Sequence, residues 1–194
     1  MAPDLPLNGQ NRLVFEYWNA KRGERLVPAL SEIDFLDFEP KVVEWLQMID
    51  RLGPEELYVR FFGPAYVQLM GRESTGKNPY GLYQGRRREL VVDFMNRLYD
   101  EPAVGLSLDE RTTPRGAKFA LEFVHMPLMD AQDRVASILT SGAVVALPAA
   151  GPIDPGGDFR TTRWQRAHLY RLPTFECMDY APDRSKRAAR AVGD

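Results

Sequence analysis

The sequence predicts an α+β domain in which helices cover one face of a five-stranded antiparallel sheet and an extra helix precedes the sheet. Three observations support this fold class. Residues 86–99 carry apolar side chains at helical spacing. Residues 42–62 have the pattern of a β-hairpin. Residues 104–109 and 117–125 alternate between apolar and other side chains, and a third strand at about 135–140 completes a meander.

The N-terminal region predicts a flexible arm followed by a helix. Residues 1–10 contain two prolines and little periodicity, which is typical of a loose segment. Asn11 can cap a helix that runs to about Arg22, and Gly23 then ends it.

This first helix is also the predicted homodimer interface. Its apolar stripe includes Phe15, Tyr17 and Trp18 and is wider than the stripe of an ordinary surface helix. Because one flat sheet covers only part of such a stripe, we expect these three side chains to pack against a second copy of the chain.

The central elements follow in a simple order. Val42–Asp50 and Leu57–Phe62 are the predicted strands of the hairpin. Pro64 opens a short helix, since proline suits the first helical position. After a polar loop, Arg86–Tyr99 forms the clearest amphipathic helix of the chain.

His125 lies at the end of a predicted strand. It is interpreted as a half-buried histidine with satisfied hydrogen bonds, and the alternative is a ligand contact or a pH switch.

The C-terminal quarter differs in composition from the rest. Residues 148–157 hold three prolines and three glycines and predict a linker between a domain at 11–147 and a tail. From Arg160 to Asp194 there are eight basic and four acidic residues, so the tail has a charge of +4 and residues 1–159 a charge of −6. The linker and basic tail together span 148–194.

Composition limits the classes of function. With 25 Lys and Arg against 27 Asp and Glu, the net charge of −2 does not suit binding of nucleic acid by bulk charge. One cysteine and two histidines exclude an internal disulfide and disfavour a zinc site. No apolar run approaches the ~20 residues of a membrane span, and no signal pattern is present, so we expect a soluble cytoplasmic protein. No arrangement of residues suggests catalysis, and we expect no enzymatic activity.

Five short segments within roughly residues 12–140 occur in a characteristic order: Leu13–Trp18, Glu32–Asp34, Leu57–Gly63, Gly71–Lys77 and Met126–Leu128. Together they resemble the PAS domain family, and more closely its bacterial stand-alone subgroup that opens with an aromatic-rich helix. The resemblance implies a sheet that cups a small cavity behind the short helices, used for sensing or for protein contacts. It implies no particular ligand, because PAS domains differ widely in what they bind.

Departures from PAS relatives argue against the cofactors that some of them hold. The loop at Gly71–Lys77 resembles the loop that carries the flavin-reactive cysteine in light-sensing relatives, but it contains no thiol here. Haem-binding relatives supply a histidine from the helical region, and residues 64–99 contain none. We therefore expect no cofactor, and no flavin or haem absorption from the purified protein.

If the domain is a sensor, the resemblance places a ligand between the helices and the sheet. The predicted walls are Tyr66, Met70, Phe94 and Leu98, where these residues face the sheet. Arg60 is the one charged group that could fix the ligand's orientation, because arginine forms bidentate contacts with anions. The alternative for Arg60 is a solvated or ion-paired side chain in a strand.

The sequence thus predicts a PAS-type regulatory protein that binds a small molecule or a signalling partner. One alternative is an interaction adaptor whose cavity is filled by its own side chains. Another is a nucleic-acid-associated factor that uses the basic tail, where Trp164, His168 and Tyr170 lie among arginines. The tail is also consistent with aromatic side chains that pack back onto the domain.

Overall fold

The computed structural model describes residues 4–112, 118–146 and 160–180. Within these residues the chain forms one antiparallel sheet of seven strands in the order β2-β1-β5-β4-β3-β6-β7. The strands are β1 Leu46–Gly53, β2 Glu56–Phe62, β3 Ala103–Thr112, β4 Lys118–Met129, β5 Val135–Ala146, β6 Arg160–Arg171 and β7 Glu176–Asp179. The α+β class with an N-terminal helix is confirmed.

Helices pack on both faces of this sheet. Helix α1 (Gly9–Arg22) and the short α2 (Pro40–Val43) precede β1, whereas α3 (Pro64–Met70) and α4 (Gly85–Asp100) lie between β2 and β3. Helix α1 packs with residues of β1, β3, β4 and β5 on one face. Helix α4 packs with β1, β2 and β5 on the opposite face. The sheet is therefore the middle layer of the domain. No helix in the described part of the chain is long and apolar enough to cross a membrane.

The predicted number of strands is wrong, because part of the predicted tail extends the sheet. β6 pairs with β3 from Ala103↔Arg171 to Thr112↔Arg160, and β7 then pairs with β6. The predicted linker at 148–157 lies outside the described residues. The sequence pattern did not predict β6 because its polar and basic side chains give little periodicity, although its backbone pairs with β3 along the strand, with two irregularities in the register.

The first predicted strand also begins too early. Pro40 occupies the first turn of α2, and the chain is helical to Val43 before β1 starts at Leu46. Proline at this position favours a helical start because its missing N–H has no partner there in any case. The predicted strand at Leu57–Phe62, the short helix at Pro64 and the helix at 86–99 are all present.

The predicted flexible arm is folded over its described part. Leu5 is 3% exposed and packs in the core beneath α1. Asn8, rather than Asn11, caps α1: its Oδ1 accepts from the backbone N of Asn11 at 3.3 Å. Asn11 is instead buried in the helix, where its Nδ2 donates to Glu122 Oε1 at 3.0 Å and its Oδ1 accepts from Ser141 Oγ at 2.8 Å. These bonds fix the start of α1 to β4 and β5.

The aromatic side chains predicted to form a dimer interface are part of the monomer core. Phe15 and Trp18 are 1% and 0% exposed and pack against the chain's own sheet. The indole N–H of Trp18 donates to the carbonyl of Pro127 at 2.9 Å. Tyr17 is partly buried, and its hydroxyl donates to Asp37 Oδ2 at 2.8 Å. Phe15 and Trp18 are unavailable for a dimer contact because the face of the sheet and the segment that precedes β1 cover them, whereas Leu13 of the same helix is 48% exposed.

Candidate functional site

A cavity of about 520 Å³ lies between α4 and the sheet, and the segment that joins α3 to α4 closes its side. This volume is within the range of small-molecule sites in proteins. The connecting segment is held in place by the outer edge of β2, where Val59 exchanges backbone hydrogen bonds with Gly76 and Lys77 at 2.8 and 3.1 Å. The apolar part of the lining is formed by Ile49, Leu57, Val59, Phe62, Met70, Pro79, Leu82, Val91, Phe94, Met95 and Phe123.

A row of polar side chains crosses the floor of this cavity. Gln47 of β1 pairs in register with Thr140 of β5, and Thr140 with His125 of β4. His125 Nδ1 lies 3.0 Å from Thr140 Oγ1, and its Nε2 lies 3.2 Å from Ser107 Oγ on β3. Both ring nitrogens therefore have hydroxyl partners, which can donate or accept as the imidazole tautomer requires.

The imidazole in this row is neutral at ordinary pH. Burial lowers the pKa of His125 from 6.5 to about 3, because the ring has lost most of the water that would stabilise its charged form. Phe94 meets the imidazole edge-to-face at 5.4 Å, and Phe123 stacks on it at 6.0 Å between ring centroids. His125 thus has the satisfied hydrogen bonds of the first interpretation, and it also lines the cavity, where a ligand contact stays a prediction.

The charged residues of the lining lie around α4 and the preceding loop. Arg87 Nη2 of α4 is 3.5 Å from Asp109 Oδ2 of β3, and Asp109 is 5% exposed. The guanidinium of Arg87 also lies over the ring of Tyr83, 5.3 Å from its centroid. Arg72 lines the cavity from the loop after α3 and is exposed. The cavity therefore contains one ion pair and one solvent-accessible cation.

Tyr80 lines the same cavity and has a buried hydroxyl. The residue lies in the 3-10 helix Pro79–Leu82, which Asn78 caps by accepting from the backbone N of Tyr80 at 3.1 Å. Tyr80 is 1% exposed, and its hydroxyl has no hydrogen-bond partner among the residues that the structure describes. Burial raises the pKa of this phenol, so it stays protonated and able to donate. A buried polar group without a partner costs about 1–3 kcal/mol.

Of the five predicted ligand contacts, the structure brings Met70 and Phe94 to the cavity. Leu98 is 0% exposed and belongs to the apolar core on the same face, outside the lining. Tyr66 is also fully buried: its hydroxyl donates to the carbonyl of Trp45 at 2.8 Å. Tyr66 and Leu98 are therefore placed in the core rather than at the cavity.

Arg60 lies on the opposite face of the sheet. Its guanidinium pairs with Asp50 at 2.8 Å, and Asp50 also accepts from Ser137 Oγ at 2.6 Å. The side chain of Arg60 is 51% exposed. The prediction of an anion clamp in the cavity is therefore wrong, and the alternative of an ion-paired strand arginine describes this residue.

Of the polar floor, the sequence pointed only to His125, and it did not point to Tyr80. One pattern could have revealed part of the floor: in β3 the apolar set alternates with Gly105, Ser107 and Asp109. These three positions in fact face α4 and the cavity. Thr140 and Gln47 could not be found this way, because their strands have apolar side chains on both faces.

The sequence matches the family model described as PAS domain (PAS_5) over residues 8–143. This match covers more than half of the chain, and the chain belongs to the PAS domain family. No curated protein sequence matches it. Within the described residues, no group of three or more His, Cys, Asp or Glu side chains could hold a metal ion.

Several solved light-oxygen-voltage (LOV) domains are similar to the chain. An RNA-binding LOV receptor has 17% identity and a TM-score of 0.42, and the match covers 75% of this chain and 36% of that one. A Rhodobacter sphaeroides LOV protein has 17% identity and a TM-score of 0.40, with 61% and 71% covered. The Aureochrome1 LOV domain in its light state has 15% identity and a TM-score of 0.40, with 55% and 85% covered.

Proposed function

We propose that this PAS domain is a sensory or regulatory module that binds a small molecule in the cavity between α4 and the sheet. The observation that carries the proposal is the polar row on the cavity floor. The row lies beneath an open volume of about 520 Å³, and a core that is filled by its own side chains leaves no such volume. A mostly apolar lining with a few convergent polar groups is typical of ligand sites.

The position of the floor supports a regulatory role. The polar row spans β1, β5, β4 and β3, so a ligand on it contacts four strands at once. Phe94 joins the same row to α4. A ligand that binds more tightly to one position of α4 relative to the sheet would increase the population of that position. Such a ligand-dependent change in conformation is what a sensory domain requires.

A cavity-filling substitution tests the proposal. Val91 and Val92 are neighbouring half-buried valines of α4, but only Val91 lines the cavity. We expect fractions of a cellular small-molecule extract to raise the melting temperature of the wild type and of Val92→Trp, and to have no effect on Val91→Trp. If both variants respond as the wild type does, or if no fraction stabilises the wild type, the ligand-free adaptor becomes the better description.

Further parts of the proposal rest on the sequence alone. We propose that the module is not an enzyme, acts in the bacterial cytoplasm, relays its signal to a protein partner and forms a homodimer. The described surface of α1 offers no support for the dimer contact first predicted there, since Phe15 and Trp18 are buried. The nucleic-acid alternative depends on residues 181–194, which lie outside the described part of the chain, and on side chains in β6 such as that of Trp164, which the structure does not describe.

A further inference from the structure

The lining of the cavity has one positive charge in excess. Its charged side chains are those of Arg72, Arg87 and Asp109, and His125 is neutral. Arg87 Nη2 faces Asp109 Oδ2 at 3.5 Å, so this pair adds no net charge. Arg72 is exposed, and its side chain forms no ion pair or hydrogen bond with another residue that the structure describes. Its guanidinium is therefore open to a group of opposite charge.

Ser74 of the same loop adds a hydroxyl to the cavity wall. The residue is 3% exposed, and its hydroxyl has no hydrogen-bond partner within the described part of the chain. Unlike the hydroxyl of Tyr80, that of Ser74 is not fully enclosed by protein. Because Ser74 lines the cavity, an acceptor on a bound molecule can approach this donor.

The N-terminus of α4 borders the cavity at Gln84 and Arg87. The side chain of Gln84 does not cap the helix, and the first turn contains no acidic residue. The first N–H groups of a helix have no partner within the helix, and they favour negative charge nearby. The start of α4 therefore adds to the preference of this side of the cavity for an anion.

The rest of the lining disfavours charge. Apart from the pair of Arg87 and Asp109, its buried and half-buried side chains are apolar or carry hydroxyls, the Gln47 amide and the neutral imidazole of His125. A charged group among them would lose its hydration without gaining a new counter-charge. An apolar body fits this part of the cavity, and a negative charge fits only at the side of Arg72.

We infer that the ligand of this site is an amphiphilic carboxylate, with its apolar body between α4 and the sheet and its carboxylate beside Arg72 and Ser74. This inference rests on the proposed function and names the chemical class of the ligand. A carboxylate has the single negative charge that balances the lining, and arginine binds it through two parallel hydrogen bonds. A phosphate monoester has a charge of about −1.5 to −2 at pH 7 and exceeds that balance.

Probes of the same shape and different charge test the class. 2-Naphthoate is an anion, naphthalene-2-carboxamide is neutral, and naphthalene-2-carboxamidine is a cation. By isothermal titration calorimetry, we expect 2-naphthoate to bind the wild type about threefold to tenfold more tightly than the carboxamide, and the amidine to bind most weakly. Equal or weaker binding of 2-naphthoate, or tighter binding of 2-naphthyl phosphate, would overturn the inference.

A pair of loop variants tests the position of the carboxylate. Arg72→Gln removes the unpaired cation of the lining, and Lys77→Gln removes an exposed cation of the same loop that does not line the cavity. We expect Arg72→Gln to bind 2-naphthoate about threefold to tenfold more weakly and the carboxamide unchanged, and Lys77→Gln to bind both as the wild type does. Equal affinities of the two variants for 2-naphthoate would exclude the contact with Arg72.

A second pair tests the hydroxyl of Ser74. Ser74→Ala removes a donor that has no partner within the described chain, so we expect its melting temperature without ligand to stay near that of the wild type. Its affinity for 2-naphthoate should fall about threefold, because a hydrogen bond to a charged group is lost. Thr75→Ala is the control, since Thr75 is exposed and outside the lining. Equal affinities of these variants would exclude the contact with Ser74.

The outcomes separate this inference from the proposed function. If an extract fraction stabilises the wild type but not Val91→Trp, while 2-naphthoate does not bind, the ligand class is wrong and the sensory site stands. Binding of 2-naphthoate to Val91→Trp with wild-type affinity would place the probe outside the cavity and overturn the inference. If neither the extract nor the probes bind, the proposed function fails and the inference fails with it.

Discussion

The ring of Phe94 in α4 rests directly on the backbone of Gly105 in β3. A Cβ atom added to Gly105 would approach Phe94 Cζ to 2.8 Å and a Leu98 methyl to 2.9 Å. These distances are below any ordinary carbon–carbon contact, so the absence of a side chain at Gly105 sets how closely α4 approaches the sheet. The same approach brings Phe94 to His125 and thereby gives the cavity its roof.

The first prediction concerns this contact. Gly105→Ala should lower the free energy of unfolding by about 1–3 kcal/mol, because the added methyl group overpacks the interface between α4 and β3. Urea denaturation followed by circular dichroism measures the change. Gly9→Ala is the control, since a Cβ at Gly9 meets no atom within 4 Å. Equal stability of the two variants would show that the close approach is not required.

The second prediction separates core from cavity wall. Leu98→Ala should cost about 2–5 kcal/mol of stability, because it leaves a void in a fully packed region. Met70→Ala should cost clearly less, since Met70 is only partly buried and borders an existing cavity. The same denaturation series measures both variants. A larger loss for Met70→Ala would mean that the cavity wall is as tightly packed as the core.

The third prediction concerns Arg60, which the sequence assigned to the cavity. Arg60→Leu should change stability by no more than about 1 kcal/mol, because its ion pair with Asp50 is half exposed and screened by solvent. It should also leave the ligand-induced rise in melting temperature unchanged, since the residue lies on the other face of the sheet. If Arg60→Leu abolished the ligand-induced rise in melting temperature, Arg60 would contribute to the ligand site after all.

The fourth prediction follows from the neutral imidazole of His125. The unfolded chain takes up a proton near pH 6.5 and the folded chain only near pH 3, so protonation favours the unfolded state as the pH falls through this window. Between pH 8 and pH 5 the wild type should therefore lose about 2 kcal/mol more stability than His125→Asn, which cannot titrate. Guanidinium titrations at both pH values measure the difference. Parallel losses in the two proteins would contradict a buried neutral histidine.

Much of the fold could be predicted because the spacing of apolar residues along a helix or strand reflects which of its faces packs against the core. The helix at 86–99 and the strand at Leu57–Phe62 each have one apolar face, and both are present in the structure. β6 and the described part of the predicted arm were missed for a different reason. These segments are folded because of long-range contacts, such as the pairing of β6 with β3 and the packing of Leu5 in the core with α1. No local sequence pattern shows such contacts.

The candidate site was less predictable than the fold. Phe94 and Met70 were found because an amphipathic helix points its apolar side at the sheet. Most of the polar floor was missed because polar positions in a strand are usually exposed, and only the three-dimensional arrangement turns Ser107 toward a cavity. The side of the sheet that Arg60 faces was also hard to predict. Neighbouring residues of a strand face opposite sides, and the irregular register between β1 and β2 determines which residues of β2 face the cavity.

Native mass spectrometry tests the central claim most directly. Wild type, Val92→Trp and Val91→Trp would each be loaded with a cellular small-molecule extract, desalted gently and weighed under native and denaturing conditions. The account predicts one fixed noncovalent mass increment on the wild type and on Val92→Trp, lost on denaturation, and no increment on Val91→Trp, whose indole fills the cavity. The bare mass of the chain in all three proteins, or the same increment in all three, would contradict a small-molecule site between α4 and the sheet.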